Sequence, residues 1–309
     1  MSAKAVSGKS GSGLFSSSFA GRRRREGWLL ALPAILIVLA LAIYPLAYSL
    51  WLAFHQWDLQ TLGHPFVGLD NFKDAARDDR VWAALKNTGV IVVVGMFFEF
   101  VLGLGLALLL VDTVHIRRIL LPIVMLPVTM VPIVVGLTWR MIWDNQYGIV
   151  NSFLRIFLGD DYNLVWLGHT RTAIIAMIVT QVWQWTPFMF LILLAALSSV
   201  NPDLYEASAL DGAGWWRQLI DITLPAIKPI IAVAVLFRAL DAFKIFDLVY
   251  MFTQGGPGTS TETISWYIYQ VGFKFFRMGY ASAVSYLVLI LLSVVATIYV
   301  AAFVRGREA

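Results

Sequence analysis

Apolar residues gather along this chain in six long blocks, each reaching the roughly 20 residues that a helix needs to cross a hydrocarbon core of about 30 Å. The blocks are Trp28 to Phe54, Thr88 to Val111, Ile119 to Met141, Ala173 to Leu197, Ile230 to Phe252 and Ala283 to Val304. A helix satisfies its own backbone polar groups in lipid, so the pattern predicts an all-α polytopic membrane protein with six transmembrane helices. The first block follows the basic run Arg22 to Arg25, an order that also occurs in cleaved leaders. It is too long for one and lacks a small-residue cleavage site, so it reads as a retained span. Residues 1 to 27, rich in Ser, Gly and Ala before the basic run, read as a disordered basic tail. Residues 28 to 304 then form the membrane domain, with a polar loop at 198 to 229, and 305 to 309 form a short second tail.

Composition agrees with the blocks. Hydrophobic residues make up 59% of the 309 and charged residues only 14%, against about half and a quarter in soluble domains. Cys is absent and the four His are scattered, which removes disulfides, thiol chemistry and a clustered metal site, so no catalytic residue and no metal ligand is assigned. The net charge of +4 does not point to nucleic acid, because four of the basic residues are the run before the first span. Gly8-Lys9-Ser10 echoes a phosphate loop, but Ala3 stands where that motif needs Gly. With the first tail inside, twelve of the 23 basic residues fall on that side, among them Arg117, Arg118, Arg217, Lys228, Arg305 and Arg307. The bias places both termini and the loop after the fourth span in the cytoplasm.

That loop has its own helix signals. Asn201-Pro202-Asp203 supplies an N-cap, a Pro at the first helical position and an acid in the first turn. Gly212 is placed to end the helix in a left-handed cap. A second piece, Trp215 to Thr223, is expected to stop at Leu224-Pro225, with Pro229 opening the fifth span. Two short helices joined at a glycine make a compact knob. On the other side, Phe66 to Phe72 and the loop from Asp144 to Thr172 carry aromatics among polar residues. They read either as membrane-interface packing or as a docking surface, and Gly255-Gly256-Pro257-Gly258 reads as a tight turn.

The spacing Glu206-Ala207-Ser208, Asp211-Gly212-Ala213-Gly214, Ile222-Thr223-Leu224-Pro225 and Pro229 resembles the cytoplasmic loop of permease subunits of bacterial ATP-binding-cassette importers. It is most similar to the maltose-type sugar permeases, and Asp241 to Asp247 and Thr253 to Gly258 extend the likeness. Ser208 stands where Ala is commoner and Leu219 where an aromatic is usual. The resemblance implies a type I ABC importer permease fold in a bacterial inner membrane. It implies that Glu206, Ala207, Ser208, Asp211, Gly212, Ala213, Gly214, Leu224 and Pro225 form or shape a coupling helix seated on an ATPase. Implied partners are a second, distinct permease subunit, two ATPase subunits that hold ATP and Mg, and an extracytoplasmic solute-binding protein, with a sugar, oligosaccharide or polyol as cargo. The chain itself would carry no cofactor and no enzymatic activity.

Charges inside the spans are costly, about 2.5 to 3.5 kcal/mol each at a helix centre, so each demands a partner or a watery cavity. Arg238, Asp241, Lys244 and Asp247 alternate in sign at intervals of three. They read either as a self-neutralising ladder or as one wall of a translocation path. Gln181, Trp183, Gln184, Trp185, Thr186 and Pro187 bring amides and indoles to the fourth span, the chemistry that suits a sugar ring, or else plain packing. Glu99 and Arg140 read as structural charges. A gradient-driven secondary transporter could also use Glu99, Arg238 and Asp241, but the halves show no internal repeat and the knob would have no use. A membrane-embedded transferase lacks the clustered carboxylates it would need.

Overall fold

The computed structural model describes Trp28 and residues 30 to 59 and 63 to 308. The tail expected before the first span, with Arg22 to Arg25, lies outside the described residues, as does Ala309. Among the described residues the chain is helical, with isolated bridges but no strand.

The first block forms α1 (Leu30–Ala53), whose most apolar stretch is wholly unburied. It rests on α12 (Met278–Glu308), which continues as helix through the residues expected to be a short tail. After α2 (Asp70–Arg77), the second block forms α3 (Asp79–Leu110). It starts nine residues ahead of the apolar block because the Asp78 carboxylate accepts from the Arg80 amide at 2.8 Å, an N-cap that hydropathy does not register.

The third block is not one straight span. It divides into α4 (Val114–Thr129) and α5 (Pro132–Ile142), bent by 94° at Met130 and Val131. Pro132 excludes the helical conformation for the residue before it, and Val131 is extended at φ −63°, ψ 131°. A short helix, α6 (Ile149–Leu158), precedes the fourth span, α7 (Thr170–Leu197). Then come α8 (Pro202–Leu210) and α9 (Trp215–Ala242).

α9 corrects a second expectation, because Leu224-Pro225 does not stop it. Leu219–Thr223 forms one π turn in which the Leu224 amide donates to the Leu219 carbonyl. The widened turn makes room for a proline ring that lacks an N–H and clashes with the fourth carbonyl before it in a regular helix. α1 uses the same device at Leu39–Ile43, ahead of Tyr44-Pro45. The fifth block also breaks. α9 ends at Ala242, and the chain re-enters a helix only at α10 (Asp247–Phe252). α11 (Ile264–Tyr269) and a π turn, Gln270–Lys274, lead to α12.

The most extensive helix contact is between α3 and α7. A side chain on Gly103 would put its Cβ 2.9 Å from Met189 Cβ and 2.9 Å from the Phe190 amide, so the two backbones touch there. Below the contact, Leu110, Phe190, Leu193, Leu194, Leu197 and Ile227 form a buried cluster toward the α8 end. At the opposite end, Tyr267 and Tyr280 each donate to Asp78 Oδ2 at 2.6 Å. Arg80 forks onto Glu262 at 2.8 and 2.9 Å. Burial opposes ionisation of Asp78, but the two tyrosine hydroxyls and the Arg80 and Val81 amides hold its carboxyl below its ordinary value.

Overpacking a close contact costs about 1–3 kcal/mol. Gly103→Leu is therefore expected to lower the thermal unfolding midpoint of the protein in detergent, whereas Gly105→Leu, which has open space around it, leaves it nearly unchanged. Equal midpoints for the two variants would refute the close α3–α7 contact.

Candidate functional site

Two blocks that are separate in sequence meet at one ion pair. Arg238 on α9 donates from Nε to Glu99 Oε2 at 2.7 Å and from Nη2 to Glu99 Oε1 at 2.8 Å. Both side chains are buried, with 2% and 0% of their surface exposed. This is the fork-to-fork geometry in which guanidinium and carboxylate bind most strongly. The remaining Nη1 reaches Asp241 at 3.3 Å, and the Trp185 ring centre lies 4.5 Å from the guanidinium carbon. α3, α7 and α9 all engage one guanidinium.

Of the two readings of the charges on the fifth span, the self-neutralising ladder forms only at its Arg238–Asp241 step. Arg238 takes its main partner from α3, and the end of α9 at Ala242 puts Lys244 and Asp247 out of helical register with it. Among the described residues neither Lys244 nor Asp247 has an ion-pair partner. Glu99, read from sequence as structural, is the centre of the arrangement. Its signal was being the one acid within a block otherwise free of charge. Arg140 donates to the Met251 carbonyl at 3.3 Å and ties α5 to α10.

Both helix interruptions open onto the same polar cavity of ≈ 270 Å³. Pro132 from the α5 break, and Lys244 and Asp247 from the α9 break, line it together with Gln181, Gln184, Trp185, Arg238 and Asp241. Gln184 Nε2 reaches the Met130 carbonyl freed at the bend, at 3.4 Å. Gln181 is 2% exposed, and its amide lies against the Glu99 carboxylate at the edge of the same cavity. Asp241 keeps half its surface open. Together these set donors and acceptors around one walled space, the arrangement that takes hydroxyl groups.

Trp183 is not part of this cavity. Two residues along a helix lie about 200° apart, so Trp183 points away from Trp185. It packs edge-on against Trp139 at 5.4 Å, on a larger apolar groove of ≈ 840 Å³ whose walls include Phe98, Ile123 and Pro187. The larger space has almost no polar lining, in contrast to the smaller one.

At the far end of α9 is the knob. The Asn201 carboxamide accepts from the Asp203 amide at 3.1 Å and opens α8. Gly212 ends it at φ +77°, with Gly212 donating to the Ala209 carbonyl and Ala213 to the Ser208 carbonyl. These paired bonds are the Schellman arrangement, and only glycine enters that conformation at no steric cost. Gln218 on α9 donates to Ser208 Oγ at 2.9 Å, and Tyr205 Oη meets Thr223 Oγ1 at 3.0 Å. The knob is thus bonded to the first turns of α9. Glu206, Ala207, Asp211 and Gly214 are exposed around it, as are Leu210 at 90% and Trp216 at 69%. Leu224 and Pro225 lie within α9, apart from this surface.

The family described as "Binding-protein-dependent transport system inner membrane component" matches residues 99 to 308, a stretch that holds Glu99, Arg238, the polar cavity and the knob. The chain belongs to this family. The permease is 34% identical to the trehalose/maltose transport system permease protein MalF of Thermococcus litoralis, over 87% of this chain and 90% of that one. It is 36% identical to the trehalose transport system permease protein SugA of Mycobacterium tuberculosis, over 91% and 89%. Among solved structures, it superposes on a bacterial ABC transporter that imports the acidic polysaccharide alginate. The TM-score is 0.77 at 25% identity, covering 92% of this chain and 96% of that one. The permease is a multi-pass membrane protein with the type I ABC importer fold, a transport subunit and not an enzyme.

Removing one partner of a buried ion pair leaves the other charge uncompensated, at a cost of about 3–5 kcal/mol. Glu99→Ala and Arg238→Ala are each expected to lower the unfolding midpoint of the importer in detergent. Glu99→Met combined with Arg238→Met restores most of it, and Asp241→Ala changes it little. A Glu99→Ala importer as stable as the parent would remove the pair from its structural role.

Proposed function

We propose that the permease carries a sugar, oligosaccharide or polyol through an ATP-driven importer, forming one half of the path with the polar cavity between α7, α9 and α10. The observation that carries this reading is the half-open Asp241 carboxylate on one cavity wall with the Gln181 and Gln184 amides. Hydroxyl groups both donate and accept, and so complete such a set without bringing a charge. Relatives named for trehalose and maltose support the same cargo class. In this reading Gln184, Trp185, Arg238, Asp241, Lys244 and Asp247 belong to the path or its frame, and Trp183 belongs to the apolar groove.

The other half of the path belongs to a second, distinct permease, and an extracytoplasmic binding protein delivers the cargo. Two ATPase subunits hold ATP and Mg, so this chain needs no cofactor. The basic-residue bias puts both termini and α8 in the cytoplasm. There Glu206, Ala207, Ser208, Asp211, Gly212, Ala213 and Gly214 present the face that meets an ATPase. Leu210 and Trp216 supply apolar surface suited to a partner's groove. Leu224 and Pro225 act at one remove, by fixing the π turn through which the knob joins the rest of α9.

The test is the whole importer reconstituted in lipid with its binding protein, with hydrolysis and uptake measured against a panel of sugars and polyols. One compound of this class is expected to stimulate both. Stimulation only by a non-carbohydrate solute would overturn the cargo, and uptake driven by an ion gradient without ATP would overturn the mechanism. Gly212→Leu forces a side chain into a left-handed conformation that costs about 1–2 kcal/mol, enough for roughly a tenfold loss. It is expected to cut cargo-stimulated uptake by about that factor while basal hydrolysis persists; uptake at the parental rate would remove the knob from coupling.

A further inference from the structure

α6 (Ile149–Leu158) has its amphipathicity turned inside out. Two of its polar side chains, Asn151 and Arg155, turn back onto the protein, while Ser152 is exposed. Asn151, fully buried, donates to the Asn145 and Leu164 carbonyls at 3.0 and 2.9 Å and accepts from the Trp166 indole at 2.8 Å. Arg155 folds back onto the Tyr162 and Asn145 carbonyls at 3.0 and 3.2 Å. The opposite face carries Ile149, Phe153, Ile156 and Phe157, between 58% and 75% exposed. Their spacing of three, four and one places them on one stripe, and no charged residue shares it. In water an isolated helix face has the reverse arrangement.

The depth of α6 indicates what covers the stripe. Asn151 is bonded to Trp166, whose carbonyl accepts from Thr172 in the first turn of α7, and Val150, on the same inner side, borders the cluster that also takes in Ile174 and Ile178 of α7. Those residues lie four to eight positions inside the start of that spanning helix, about 6–12 Å along its axis. α6 therefore sits level with the first turns of a membrane span, at the end of the bundle opposite α8. Leu137 and Met141 on α5 and Tyr147 in the segment before α6 are exposed as well, and tyrosine is a residue enriched at membrane interfaces. Gly159, at φ +97°, ends the helix and turns the chain directly to the exposed Asp160 and Asp161. Protein docking faces favour arginine and a polar rim, and here the one arginine is withdrawn.

We propose that α6 lies flat in the bilayer interface opposite the cytoplasmic knob. Its stripe is sunk into lipid, and its polar side is bonded to its own loop rather than to water. It forms a ledge that fixes the height of the permease in the membrane beside the mouth of α7.

The chain has no native Cys, so single spin labels can be placed cleanly. Phe153→Cys, Ile156→Cys and, as an aqueous reference, Asp160→Cys are labelled in the assembled importer in phospholipid nanodiscs, with cysteine-free partner subunits. Ile149→Cys replaces either stripe variant that fails to assemble. Collision with oxygen, which partitions into lipid, is expected to exceed collision with a water-soluble nickel chelate several-fold on the stripe, and the ratio to invert at 160. Nickel access on the stripe equal to that at 160 would overturn the proposal and mark an aqueous docking face. Shielding from both reagents would overturn it equally, by showing that another subunit covers α6.

Discussion

One ion pair fixes the arrangement of the bundle. A guanidinium and a carboxylate in the apolar interior are tolerable only while each faces the other, and the fork of Arg238 onto Glu99 leaves little freedom in how α3 and α9 are rotated. The pair also needs α7 close by, because Trp185 covers the guanidinium face. Close approach of α3 and α7 is secured by glycine. Gly95, Glu99 and Gly103 repeat at intervals of four on one face of α3, where a Cβ on Gly95 would lie 3.4 Å from the Gln181 amide and one on Gly103 would meet the α7 backbone. The charge and the small residues are thus parts of one contact: the glycines bring α7 in, and Glu99 between them reaches past it to α9.

The same pair explains why a cavity persists beside it. With Arg238 held by Glu99 and Trp185, the end of α9 is anchored four residues before the helix stops, and the break beyond Ala242 cannot collapse inward. The α5 break faces it. Unwound backbone within a membrane survives where it is enclosed by protein or lines a polar space; Gln184 reaches the freed Met130 carbonyl at one break, and Ser265 and Thr263 donate to the Phe243 and Ile245 carbonyls at the other.

Hydropathy located the apolar blocks and excluded the soluble classes, and local capping rules placed α8 from Asn201 to Gly212. Both depend on residues near in sequence, and both kinds of signal are strong. The breaks were not legible, because proline alone does not decide the backbone's course. Pro122 and Pro127 lie inside α4, Pro45 and Pro225 are absorbed by π turns, and Pro132 ends a helix. What separates these cases is whether the freed carbonyl and the displaced ring find room, which depends on distant neighbours. The pairing of Glu99 with Arg238 was hidden for the same reason. Spacing within the fifth block pointed to Asp241, which is the weaker and half-solvated contact, whereas the stronger partner lies 139 residues away.

α9 joins the knob to the polar cavity. It runs unbroken from Trp215, bonded to the knob through Gln218, to Ala242 at the cavity. Arg238 lies 23 residues from the knob end, roughly 35 Å at 1.5 Å per residue, and only four from the cavity end. A rod pinned near one end converts a large displacement of its long arm into a small one at its short arm. The bidentate pair is such a pin, since its planar geometry resists sliding more than a lysine point charge would. Small motion is what the cavity end can use, because the Gln184 bond to Met130, at 3.4 Å, is already at the edge of hydrogen-bonding distance. A modest shift of Ala242 against α7 suffices to break or tighten it, and with it the bend between α4 and α5. If the knob is where an ATPase pushes, the unequal arms of α9 turn that push into a choice between two states of the cavity wall.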